Sequence, residues 1–200
     1  LPDLLASFRS QHPGIAFRVA VCGTHEVAER IATDEAELGM PFDTLARDDL
    51  ILQGRIPQPL QMIVRPDHPL ADRRSIRIEE AADFPAALPT TRFGIRYRID
   101  QAAARAGLRL SCAWETDSLA LLKAIVRRTS AVSFMPPLTF APEVAAGELT
   151  GVALDDADSA RASIDVVSAR DRPLALPARA FVEHMRAQGV LRRAGSSAAF

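Results

Sequence analysis

Two hundred residues are enough to bury roughly 70–75% of the unfolded chain's surface, so the core needs neither disulfides nor metal. A composition of 48% hydrophobic and 24% charged residues is that of an ordinary soluble globular protein. No apolar run approaches the roughly 18 residues of a membrane span, and a net charge of −1 with pI about 6.5 argues against a nucleic-acid-binding domain, whose pI usually exceeds about 9. Cys22 and Cys112 lie far apart with no CxxC or Cys/His pattern, which gives neither a disulfide framework nor a metal site. A reducing, cytoplasmic compartment is expected. The opening Leu1-Pro2-Asp3-Leu4-Leu5 lacks an initiator Met and falls within a helical pattern, as expected of a piece of a longer protein.

In chain order, Leu4, Leu5 and Phe8 mark a helix face stopped by the turn His12-Pro13-Gly14. Ile15-Ala16-Phe17-Arg18-Val19-Ala20-Val21 alternates like a half-buried strand. Val27, Ile31 and Ala32 predict a helix, and Glu37-Leu38-Gly39-Met40 a short strand. Strands follow at Leu50-Ile51-Leu52 and Leu60-Gln61-Met62-Ile63-Val64, with Pro57 and Pro59 at their boundaries. The pattern then restarts: a strand at Ala86-Ala87-Leu88, a helix over 97–106 closed by Gly107, and a strand over 110–114. Thr116-Asp117-Ser118 opens a helix with Leu119, Leu122, Ile125 and Val126 on one face. Strands at 131–135, 149–154 and 164–168 precede a last helix that buries Phe181, Val182 and Met185.

Such alternation implies parallel sheets with helices on both faces, and two rounds of it imply two small α/β lobes. The last helix has no lobe of its own and is expected to return to the first. Crossings over 57–66 and 163–170 divide the chain into lobe I, 1–58 plus 170–200, and lobe II, 59–169. Ligands bind α/β sheets at the carboxyl ends of strands, so the expected site is an interlobe cleft.

The order of several short strings resembles the effector-binding domain of LysR-type transcriptional regulators. They are the opening to Phe8 with His12-Pro13-Gly14-Ile15, then Glu37-Leu38-Gly39-Met40 where the family has Asp-Leu-Gly-Ile. Pro66-Asp67-His68-Pro69-Leu70-Ala71, Glu79-Glu80-Ala81-Ala82-Asp83-Phe84-Pro85, Ala106-Gly107-Leu108, Glu115-Thr116-Asp117-Ser118 and Pro177-Ala178-Arg179-Ala180-Phe181 continue the match. The resemblance implies two Rossmann-like lobes joined by two crossover segments, as in type 2 periplasmic binding proteins. Two departures stand out. Thr129-Ser130-Ala131 occupies the place of the family's Gly-Leu-Gly, and the family's first strand, its Ser/Thr loop and the winged helix-turn-helix have no counterpart in the sequence. For assembly, the resemblance implies an antiparallel homodimer, and a tetramer for the full-length regulator. The helix bearing Leu4, Leu5 and Phe8 then lies near the partner's Leu119, Leu122 and Val126.

Candidate effector contacts cluster in loops. Gly23-Thr24-His25 opens a helix whose N-terminal N–H groups suit an anion, although Thr24 could equally cap its own helix. Thr116 and Ser118 repeat the arrangement, with capping by Thr116 or Asp117 as the alternative. In Thr90-Thr91-Arg92-Phe93-Gly94-Ile95-Arg96, Thr90 and Thr91 offer hydroxyls and Gly94 allows close backbone approach. Arg92 and Arg96 can grip a carboxylate. Phe42, Phe134 and Pro136 could supply apolar walls. No metal site or cofactor is expected, and the motifs of serine hydrolases, zinc proteases, P-loops and dinucleotide-binding enzymes are absent from the sequence. The expected function is sensing of an anionic or carboxylate-bearing small molecule, with DNA contacted only through an N-terminal domain outside this sequence. A periplasmic-type solute-binding protein of a transport system is the alternative.

Overall fold

The computed structural model describes residues 1–43 and 47–192. In chain order it contains α1 (Pro2–Gln11), α2 (Thr24–Ala32), β1 (Leu50–Pro57), β2 (Gln61–Val64), β3 (Ser75–Ile76), α3 (Ile78–Ala81), β4 (Ala86–Pro89) and α4 (Gly94–Arg105). There follow β5 (Cys112–Thr116), α5 (Leu119–Arg128), β6 (Ser133–Met135), α6 (Ala141–Ala145), β7 (Thr150–Leu154), α7 (Ala157–Ala160), β8 (Ser163–Ala169) and α8 (Leu176–Ala187). The chain divides into one unit of residues 1–56 with 164–200, and a second of residues 57–163. The return therefore falls six residues earlier than the sequence suggests, because β8 pairs with β1 and belongs to the first unit.

In the first unit, Pro2 sits in the opening turn of α1, where a missing N–H costs nothing. The helix buries Phe8 against α8, with the Phe8 and Phe181 rings 5.2 Å apart and edge-on. Ile56, Val166, Val182 and Met185 complete this core. A second cluster packs Ala28 and Ile31 of α2 on Val167. That contact needs Gly39: a Cβ there would stand 2.5 Å from Val27 and 2.6 Å from Ile31, distances real side chains do not tolerate. The short strand expected around Gly39 is reduced to single antiparallel bridges, Gly39 to Val167 and Phe42 to Ile164.

Ile15–Val21 departs from expectation more sharply. Its alternating pattern suits a strand, yet it joins no sheet, and Phe17, Val19 and Val21 are exposed. A strand needs a neighbour for its backbone N–H and C=O groups, and residues 16–21 have none among the described residues. Phe17 still packs edge-on against Phe8 and Phe181.

In the second unit a four-stranded sheet runs β3-β7-β2-β6, and the β4–β5 pair joins its β6 edge through a single parallel bridge from Ala86 to Val132. The β4–β5 and β3–β7 pairs are parallel, but β2 is antiparallel to both β6 and β7. The all-parallel expectation fails there because β2 enters the unit directly from the crossing, with no helix before it to reverse the chain. The core beneath α5 joins Leu122 and Val126 to Ile63, Met135, Phe140 and Leu149. At its margin Lys123 meets Glu143 at 2.6 Å, both largely shielded. Burial alone would raise the Glu143 pKa, but the Lys123 ammonium outweighs it and holds the carboxyl below its ordinary value. Gly107 ends the turn after α4 at φ +70, the left-handed conformation that its sequence position requires.

His68 is only 4% exposed, accepts a hydrogen bond from the Leu70 N–H through Nδ1 (3.2 Å) and lies 4.4 Å from the Phe84 ring. Burial pushes its pKa below the ordinary 6.5. Between the folded and unfolded pKa the unfolded chain therefore binds more protons. His68 contributes stability that is present above about pH 6.5 and is lost as pH falls through that window. Thermal unfolding scans from pH 7 to pH 5 are expected to show a falling Tm in the wild type and a shallower fall in His68→Gln. Parallel profiles would show that His68 is not the group titrating.

Candidate functional site

The carboxyl ends of β4 and β5 form the one place in the second unit where the sequence-derived candidates come together. These strands run parallel with Pro89 opposite Thr116, so the segments that leave them start side by side. Ala86–Pro89 is wholly buried, and Pro89 ends the strand by withholding a backbone donor. The chain then turns, with the Phe93 N–H donating to the Thr90 carbonyl (3.1 Å), and α4 begins at Gly94, one turn before the expected start. After β5, the Ser118 N–H donates to Thr116 Oγ1, and Ser118 Oγ accepts from the Leu121 N–H, each at 3.2 Å. Ser118, rather than Thr116 or Asp117, is therefore the N-cap of α5. The N–H groups of Leu119 and Ala120 have no acceptor among the described residues, so this end of the helix is a donor surface.

Asp117, released from capping, holds the two loops together. Thr90 Oγ1 donates to its Oδ1, and the Arg92 guanidinium lies 3.5 Å from its Oδ2. Arg92 remains well exposed, whereas the Arg96 side chain is only 15% exposed. Arg96 donates through Nε to Asp100 (3.0 Å) and through Nη1 to both Glu115 and the Pro89 carbonyl. Burial works against its charge, but Glu115 and Asp100 outweigh that and raise its pKa above the ordinary value. Arg96 thus fastens α4 to the ends of β4 and β5, and Arg92 is the guanidinium with open surface. Sequence reasoning gave the two arginines the same role because it could not place Asp100 and Glu115 beside one of them. A carboxylate four residues after Arg96 was the available signal.

The other candidates are dispersed. Thr91 is exposed, and Gly94 begins α4. Phe134 and Pro136 are buried, Phe134 completely. In the first unit, Thr24 is the first residue of α2 and does not cap it; Gly23 is the N-cap, and His25 is exposed beside it. Phe42 is 9% exposed at its bridge to Ile164. Of the expected interface residues, Phe8, Leu122 and Val126 are completely buried within their own units and present no surface, while Leu4, Leu5 and Leu119 are half-buried. Exposed apolar side chains include Val19 and Val21, Trp114 and Leu121, and also Tyr97, Leu138 and Leu176. No helix among the described residues is long and apolar enough to cross a membrane.

The sequence and the fold have many counterparts. A probable nitrogen assimilation transcriptional activator of Synechococcus elongatus is 26% identical over 139 residues, which is 68% of this chain and 45% of that protein. The HTH-type transcriptional activator CmpR of a Synechocystis species is 25% identical over 152 residues, 74% of this chain and 49% of the relative. The chain thus spans about half the length of the curated relatives it matches. Among solved structures, the Synechocystis CcmR regulatory domain in complex with 2-PG superposes with a TM-score of 0.83 at 23% identity, covering 94% of this chain and 89% of that one. The effector-binding domain of QuiR in complex with shikimate gives 0.78 at 18% identity, with the same coverage of 94% and 89%. These likenesses show the fold, that of LysR effector-binding domains of the type 2 periplasmic-binding-protein class. The model of the LysR substrate binding domain matches residues 1–189, and the chain belongs to that family.

Proposed function

We propose that this chain is the sensor of a transcriptional regulator, and that it receives a hydroxylated small-molecule anion at the carboxyl ends of β4 and β5. The observation that carries the reading is the joining of Thr90, Arg92, Asp117 and the α5 N-terminus at one place. An anionic group is suited to Arg92 and to the N–H groups of Leu119 and Ala120. A ligand hydroxyl is suited to Asp117, which accepts only, and to Ser118. The complexes of related domains with 2-PG and shikimate support a small polar ligand for this one. Thr24 and His25 stand at a comparable helix start in the first unit and are further candidate contacts. Binding acts on regulation by favouring one conformation of the domain over another, which requires unequal affinity for the two. The function is binding and not turnover. DNA is contacted through the portion of such regulators that this chain does not span, and the site of action is the cytoplasm. Relatives that are transcriptional activators favour this reading over a transport component.

The proposed assembly is an antiparallel homodimer. The half-buried Leu4, Leu5 and Leu119 keep a place in it, and the exposed Val19 and Val21 of one copy with Trp114 and Leu121 of the other are its proposed apolar faces, in place of the fully buried Phe8, Leu122 and Val126.

A thermal-shift screen of hydroxylated carboxylic acids, with shikimate included, is expected to give stabilising hits. A screen in which only neutral or cationic compounds stabilise the protein would contradict the reading. For a carboxylate hit, Arg92→Ala is expected to cost about 1.5–3 kcal/mol of binding in calorimetry with little change in the ligand-free Tm. Arg96→Ala should instead lower the ligand-free Tm, by an amount equivalent to about 1 kcal/mol, because the Pro89 carbonyl loses its donor and α4 its tie to the strand ends, while the half-exposed Glu115 and Asp100 stay hydrated. Equal behaviour of the two variants would refute the division of roles. Light scattering after size exclusion should report a dimer, and Leu121→Arg a monomer; a wild type that stays monomeric at high concentration sinks the assembly.

A further inference from the structure

The first unit contains a groove that the effector reading does not use. It lies between the start of β1, the segment that leaves β8 and one face of α8, is broadly open to solvent, and offers about 470 Å³, within the usual range for small-molecule sites. Its floor is apolar, from Ile51, Leu174 and Val182, and its rim carries four arginines against two carboxylates. Two of the arginines are neutralised. Arg172 pairs with Asp34 at 3.0 Å and with the rim carboxylate Asp171 at 3.8 Å, and Arg186 pairs with Glu183. The other two are not. Arg170 donates from Nε to the Asp48 carbonyl (2.6 Å) and from Nη2 to the Leu50 carbonyl (3.0 Å), which fixes its guanidinium without cancelling its charge. Arg179, exposed on α8, makes no side-chain hydrogen bond or ion pair among the described residues. At the inner edge Gln53 donates to Ser168 Oγ at 2.9 Å.

We propose that this groove is a second ligand site, distinct from the β4–β5 loops, for a small organic anion with a short apolar body. The charged head meets Arg170 and Arg179, and the body lies on Ile51, Leu174 and Val182. Arg170 is held in place before the ligand arrives, so little side-chain freedom is lost on binding. An apolar floor beneath uncompensated guanidinium groups selects an amphiphilic anion over inorganic phosphate, which would leave that floor wet.

The test is a titration of the isotopically labelled 200-residue chain with hexanoate, followed by amide chemical shifts, with hexan-1-ol as the neutral control. Saturable shifts are expected at residues 168–174 and 179–186 with hexanoate and not with hexan-1-ol. Arg179→Glu, an exposed position, should keep the rest of the spectrum and raise the Kd about 10-fold or more. Arg92→Ala should leave these shifts unchanged, which separates this site from the effector reading. Absence of saturable shifts in this region overturns the proposal, as does an Arg179→Glu variant that binds hexanoate equally well. Equal shifts with hexan-1-ol would leave the arginines as solvated surface charges and overturn it too.

Discussion

The parallel register of β4 and β5 is the constraint on which the second unit's chemistry depends. With Pro89 opposite Thr116, two chains end together, and each must turn into a helix within a few residues. Backbone donors at those helix starts cannot be satisfied within the helices, so the sequence supplies Ser118 for one of them and leaves others open. The site follows from this arrangement as much as from any one side chain. Asp117 converts two neighbouring loops into one surface by accepting from Thr90 and pairing with Arg92, and Arg96 anchors that surface from beneath.

Charge at the site is balanced and not simply positive. Arg92 and Arg96 face Asp117, Glu115 and Asp100, so net Coulomb attraction does not single out an anion. In the proposed site, selection for an anion rests on oriented donors, the first-turn N–H groups of α5 and the exposed guanidinium of Arg92. Such donors act at short range and reward a ligand whose shape matches them. Carboxylate acceptors beside them suit hydroxyls on the same ligand. The groove of the first unit differs in kind, with fixed, uncompensated charge above an apolar floor and few acceptors.

Much of the fold was legible because its helices carry strong periodicity and clear stops. The faces of α1, α5 and α8 are the expected ones, and Gly107 closes its turn as its position implies. Failures came where local pattern and tertiary partner disagree. The segment 15–21 alternates like a strand but pairs with no neighbouring strand among the described residues, and β2 reverses direction because of the route by which the chain enters the unit. At the candidate site, the placing of Thr90, Arg92 and Ser118 in the loops beside helix starts was legible from residue type and position. The joining of Asp117 to Thr90, 27 residues away in sequence, was not, because it depends on strand pairing that no local signal encodes. Burial within the unit was equally hard to read for the expected interface residues Phe8, Leu122 and Val126. Leu122 and Val126 form the regular stripe of α5, and a regular apolar stripe buries itself first in its own core.

The central claim is that an effector is received where β4 and β5 end. Its most direct test is an amide chemical-shift titration with a stabilising hydroxylated acid, comparing wild type with Asp117→Asn. The account predicts saturable shifts concentrated at residues 90–96 and 116–121, with weaker binding in the variant as the link between the loops is lost. Saturable shifts that leave both segments untouched would contradict it.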